Sequence, residues 1–129
     1  MAWGNFVLDV GADAAAALTK FRCVKYSAAQ TITPVTAITD VIAGVEQFGV
    51  TSNEITRGKG SSYRVLGVSE VEASAAIAVG VMCTLETTGQ VSPLVAASGK
   101  RIVGVCVGHP ATNAGDRISM LVNPYGGLA

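Results

Sequence analysis

The chain has 129 residues, nine basic and nine acidic side chains, zero formal net charge, and is half hydrophobic with only 14% charged residues. That length suits one domain. Leu, Ile, Val and Phe number 35, enough for a core, which excludes intrinsic disorder for most of the chain. The basic residues are few and scattered, so no electrostatic footprint for direct DNA or RNA binding is present.

The apolar content comes from small residues: 19 Ala, 18 Val, 15 Gly and 11 Thr stand against seven aromatics. A core of this kind is thin, and sparse charge favours contact surfaces, so oligomerisation or docking on a partner is expected. The longest uncharged stretches, residues 26–39 and 102–115, are 14 long and contain proline and polar side chains, too short and too polar for a transmembrane helix. No basic residue precedes Lys20, so no secretory signal is read, and Cys23, Cys83 and Cys106 form no CxxC pair. Folding in a reducing cytoplasm is the expectation.

In chain order, residues 1–19 read as an N-terminal arm carrying Trp3 and Phe6, two aromatics outside the main β pattern that either return to the domain core or anchor in a neighbour's pocket. Within it, Asp13 before the Ala14 to Ala17 run offers a one- or two-turn helix. Residues 20–129 read as a single β domain, with strands expected at 20–26, 41–50, 63–69, 79–86, 100–108 and 116–122, separated by recurrent glycines. Between the second and third of these, Arg57, Lys59 and Arg64 flank a glycine-rich segment. It departs from a phosphate loop at Asn53 and Gly60, and so reads as a basic hairpin turn that is solvated or docks an acidic surface. Ser69 and Glu72 have capping-box spacing before an alanine run, although Val71, Ile77 and Val79 suit a strand better. The prediction is an all-β protein, a small antiparallel barrel or sandwich with at most one short helix.

Shifting the sequence by 60 aligns Cys23 with Cys83, Gln30 with Gln90, Val35 with Val95, Ala37 with Ala97, Ile42 with Ile102, Gly44 with Gly104 and Val45 with Val105. Seven identities in 23 ungapped positions point to two similar β units, about 20–69 and 79–122, with the two cysteines at matching core positions.

Cys106, His109 and Asp116 could be named as nucleophile, base and orienting group, yet residues three apart on a strand face opposite ways. No catalytic residue, metal site or cofactor is expected, because one histidine and three dispersed cysteines do not make a ligand set. A small enzyme using Cys106 or Cys83 is the rival that thiol reactivity would reveal.

The run Val79-Gly80-Val81, the turn Thr88-Gly89-Gln90-Val91, the run Ile102-Val103-Gly104-Val105 and the segment from Asn113 through Asp116-Arg117-Ile118 to Val122 resemble the capsid decoration, or cement, proteins of tailed bacteriophages. More loosely, Lys20 to Val24 and Asp40 to Val45 do so as well. The resemblance implies a non-catalytic homotrimer on the capsid exterior, made in the host cytoplasm, that bridges major capsid protein subunits and stabilises the assembled lattice by linkage. Trp3, Phe6, Arg57, Lys59 and Arg64 are then the candidate capsid or subunit contacts. The alternative is an adhesion or receptor-recognition module of a virion fibre or spike.

Overall fold

Valine, isoleucine and threonine, whose branched Cβ suits a pleated surface, dominate the segments that pair in the computed structural model, which describes residues 6–129. Five strands, β1 (Leu8–Ala14), β2 (Cys23–Ala28), β3 (Thr31–Pro34), β4 (Gly44–Glu46) and β5 (Ser61–Leu66), close into a barrel in the order β1-β3-β2-β4-β5. Five more, β6 (Val68–Glu72), β7 (Met82–Leu85), β8 (Val91–Pro93), β9 (Ile102–Cys106) and β10 (Arg117–Val122), form a sheet in the order β6-β10-β9-β7-β8. The all-β expectation holds, and with one short helix among the described residues, α1 (Ser52–Thr56), the structure fits the expectation of at most one.

The second sheet is the first barrel repeated. Each antiparallel pairing recurs: β1 with β5 as β6 with β10, β2 with β3 as β7 with β8, β2 with β4 as β7 with β9, β4 with β5 as β9 with β10. The parallel ladder of β1 with β3 that closes the barrel shrinks to a single parallel bridge, Ala73 with Val91, in the second unit.

Register fixes the equivalences. Val24 pairs with Pro34 and Tyr26 with Ile32, while Cys83 pairs with Pro93 and Leu85 with Val91, an offset of 59. Val45 and Glu46 match Val105 and Cys106, an offset of 60. Cys83 is therefore the counterpart of Val24, and the sequence match of Cys23 to Cys83 is one residue out of register, although both thiols are buried. Backbone conformation confirms the shorter offset: Phe21 and Gly80 both have positive φ, 63° and 87°, as do Gln30 and Gly89, 58° and 83°.

The expected arm is corrected from Leu8 onward. Residues 8–14 are β1, a barrel wall antiparallel to β5 and parallel to β3, with Ala14 buried. The alanine run has high helix propensity, but tertiary pairing overrides that preference in so short a segment. The Ser69–Glu72 spacing likewise lies on a strand, β6, where Val71 is buried. The helix forms elsewhere: the Thr51 side chain accepts from Glu54 N–H and the Glu54 carboxylate accepts from Thr51 N–H, a capping box the sequence reading passed over.

The two units share a core. One apolar cluster joins Cys23, Val35, Ile42 and Val45 of the first unit to Val71, Cys83, Leu85, Val103, Ile118 and Met120 of the second, while Leu18, Val24, Ile32, Val50 and Tyr63 fill the first barrel. Backbone bonds cross between them: Cys23 N–H donates to Gly89 O at 2.8 Å, Glu72 N–H to Phe21 O at 2.9 Å and Arg101 N–H to Ile38 O at 2.7 Å.

Candidate interface surface

Trp3 lies outside the described residues. Phe6, just ahead of β1, is 94% exposed, and its carbonyl runs over Gly67, 2.7 Å from where a β-carbon would stand. The basic trio is not one patch. Arg57 caps the C-terminus of α1 and is exposed, and Lys59 pairs with Glu54 at 2.5 Å within the same loop. Arg64 is committed internally: its guanidinium makes two bonds to the Asp9 carboxylate, 2.8 and 3.1 Å, and a third to Val68 O at 2.8 Å. Asp9 raises the Arg64 pKa, although partial burial opposes the shift. It joins β1, β5 and the start of β6 in place of offering a free charge, which leaves Arg57 as the one of the three with no ion-pair partner among the described residues.

The thiols are equally occupied by structure. Cys23, Cys83 and Cys106 are buried, and Cys106 Sγ donates to His109 O at 3.4 Å. Burial pushes Cys23 and Cys83 up to about 12, with the neighbouring cysteine adding to each, and burial also raises Cys106. A protonated, enclosed thiol is a poor nucleophile. Among the described residues no group of three or more His, Cys, Asp or Glu side chains converges as a metal site.

A comparison of equivalent positions shows where the units diverged. Tyr26, Glu46, Ser61 and Tyr63 of the first barrel correspond by register to Leu85, Cys106, Ile118 and Met120 of the second. The polar set bonds to itself. Tyr26 and Tyr63 share a hydroxyl bond at 2.7 Å with rings edge to face, and Ser61 donates to the fully buried Glu46, which also accepts from Gln47 N–H at 3.0 Å. Burial, followed by the Tyr26 bond, pushes Tyr63 up to about 12. Glu46 Oε2 has no hydrogen-bond partner among the described residues.

Outside, a feature absent from the sequence reading emerges. Val68, Leu121, Val105 and Met82 lie in one cross-strand row over β6, β10, β9 and β7. Leu121, Val105 and Met82, with Leu66, Gly67 and Ile102, line a mostly apolar groove of about 330 Å³ with no charged side chain in its walls among the described residues. Leu121 and Met82 are 44% and 46% exposed. Only the register reveals this row, because in each strand it appears as one outward apolar residue.

No protein-family model matches the sequence, and no curated protein matches it. Among solved structures, the chain is similar to the N-terminal base of the head fiber protein gp8.5 of bacteriophage phi29, with a TM-score of 0.68 and 19% identity over 96% of this chain and 99% of that one. The two share a fold across nearly their whole lengths.

Proposed function

We propose that this protein is a structural component of a phage virion that binds the outside of the assembled head and bridges major capsid protein subunits. One observation carries the reading: the full-length match in fold to the base of a phage head fiber, a protein whose name places it on a head. The buried thiols and the self-contained polar groups of the first barrel fit a protein whose work is adhesion. The mechanism is linkage, since a ligand of the closed shell lowers the free energy of that state relative to its dissociated parts. A homotrimer engaging several subunits would gain further from effective concentration.

The head-fiber likeness also favours a second reading, in which the chain is the seat of a fibre or a recognition module. Adding purified protein to heads that lack it separates the two. The bridging reading expects co-sedimentation with heads and raised resistance to heat or chelator. Attachment without added resistance, together with binding to host cells or glycans, supports the fibre reading, and failure to bind heads overturns the bridging one.

A further inference from the structure

We propose that residues 80–82 form a strand-docking site, where an extended, uncharged segment of a different polypeptide pairs with Gly80 O and Met82 N–H. The seam between the two units supplies the argument. In the first barrel Asp13 N–H donates to Gln30 O at 2.8 Å, which helps close β1 on β3. By register the same groups of the second unit are Glu72 N–H and Gly89 O. They do not meet. Phe21 O accepts from Glu72 N–H at 2.9 Å and Cys23 N–H donates to Gly89 O at 2.8 Å, so residues 21–23 are laid into the opening as an added strand.

Residues 80–82 are the counterpart of 21–23, and their inner bonds are the same. Phe21 N–H donates to Glu46 O at 2.8 Å and Glu46 N–H to Arg22 O at 3.0 Å, while Gly80 N–H donates to Cys106 O at 2.7 Å and Cys106 N–H to Val81 O at 3.0 Å. The outward pair differs. Gly80 O and Met82 N–H, which match Phe21 O and Cys23 N–H, meet no partner among the described residues. Phe21 and Cys23 are buried against the second unit, whereas Val79 and Met82 are about half exposed. An unpaired acceptor and donor beside exposed apolar side chains is the surface that strand addition uses.

The occupant follows from what the chain has already used. In the first barrel β1 and β3 pair with each other, and in the second Ala73 bridges Val91 while residues 21–23 take Glu72 and Gly89. A second copy therefore has no matching seam to offer, and the partner is another chain with a free strand edge. Its segment is uncharged, because residues 73–85, 91–99 and 102–108 carry no charge that could answer one. On the head-binding reading, on which this inference rests, that chain is a capsid subunit.

The test adds the purified full chain to heads that lack it, beside three variants. Met82→Pro removes the N–H at the first residue of β7, a position where proline is tolerated, and Met82→Lys and Val79→Lys keep the backbone. Val41→Lys is the control, altering an exposed residue of the first unit. Met82→Pro should weaken co-sedimentation about fivefold, the loss of one hydrogen bond, and each of the two other variants at least about tenfold, with the control matching the parent. Circular dichroism of the free chains checks the fold, and if Met82→Pro fails to fold the lysine variants decide. Backbone hydrogen exchange over residues 79–83, fast in the free chain, should slow on heads. Lysine variants that bind as tightly as the parent, or exchange that heads leave unchanged, overturn the strand contact while head attachment stands. A parent that does not bind heads overturns head attachment and this contact with it. Exchange slowed by raising the concentration of the free chain alone overturns the claim of a different partner.

Discussion

At Gly44 a β-carbon would lie 2.2 Å from Arg64 O, and at its counterpart Gly104 one would lie 2.3 Å from Leu121 O. The same close approach of β4 to β5 and of β9 to β10 has been kept in both units, so Gly44→Ala and Gly104→Ala should each destabilise by about 2 kcal/mol or more. Gly127, with open space around it and no positive φ, is the control: Gly127→Ala should stay within about 0.5 kcal/mol by chemical denaturation. The sequence match of Gly44 with Gly104 was therefore sound and physically grounded, whereas the match of Cys23 with Cys83 came from composition. A buried small side chain tolerates several residue types, but a glycine under a carbonyl tolerates one. Thiol chemistry offers a second check at this scale. An alkylating reagent at neutral pH should leave Cys23, Cys83 and Cys106 of the folded chain largely unmodified and label all three in denaturant, and fast selective labelling of the native state would contradict the burial described.

Between strands, carboxylates tie loops in place. Asp40 accepts from Thr36 and Ala37 N–H at 2.9 and 3.0 Å, and Asp116 repeats the arrangement with Thr112 and Asn113 at 3.0 and 2.9 Å. Partial burial alone would raise Asp40, but these bonds and Lys25 hold it below 3.8. Asp116 is held down by the Asn113 and Thr112 donors. Lys59 and the Thr51 cap hold Glu54 down to about 2. Depressed carboxylates contribute stability that is fully present above their unfolded values, 3.8 for Asp and 4.5 for Glu, and lost as pH falls through the lower folded values. Unfolding free energy measured from pH 6 to 2 should decline below about pH 4.5. Asp40→Asn with Asp116→Asn should flatten that decline. The Asp9–Arg64 pair belongs to this scale too. Arg64→Ala loosens β1 from β5 and should cost about 1 kcal/mol, the modest figure reflecting a pair partly open to water. The strands centred on residues 24, 45, 64, 84, 104 and 119 were legible because they are apolar and bounded by turn residues. β1, β3, β6 and β8 were not: β1 is mostly alanine, glycine and aspartate, β6 follows β5 after Gly67 alone and was merged with it in the strand expected at 63–69, and β3 and β8 are four and three residues long. Their identity comes from partners distant in sequence. The basic trio was misleading for the same reason, as Arg64 finds its acid 55 residues away.

For the molecule as a whole, the position of β1 sets what truncation can do. Removing residues 1–5 spares every described strand. Removing 1–19 takes away a wall that pairs with both β3 and β5 and should abolish the cooperative transition of the first barrel, which calorimetry would show. An arm that merely docked on a neighbour would give the opposite result for the longer deletion. The duplication also carries a practical lesson. From Glu46 to Tyr63 the first unit spends 17 residues, whereas the corresponding path from Cys106 to Met120 takes 14, and the surplus lies where α1 and the exposed turn at Arg57 to Gly60 are found. Two versions of one scaffold thus differ in length at that spot without altering the walls on either side. A foreign epitope grafted between Arg57 and Gly60 should be displayed on a barrel that does not register its presence.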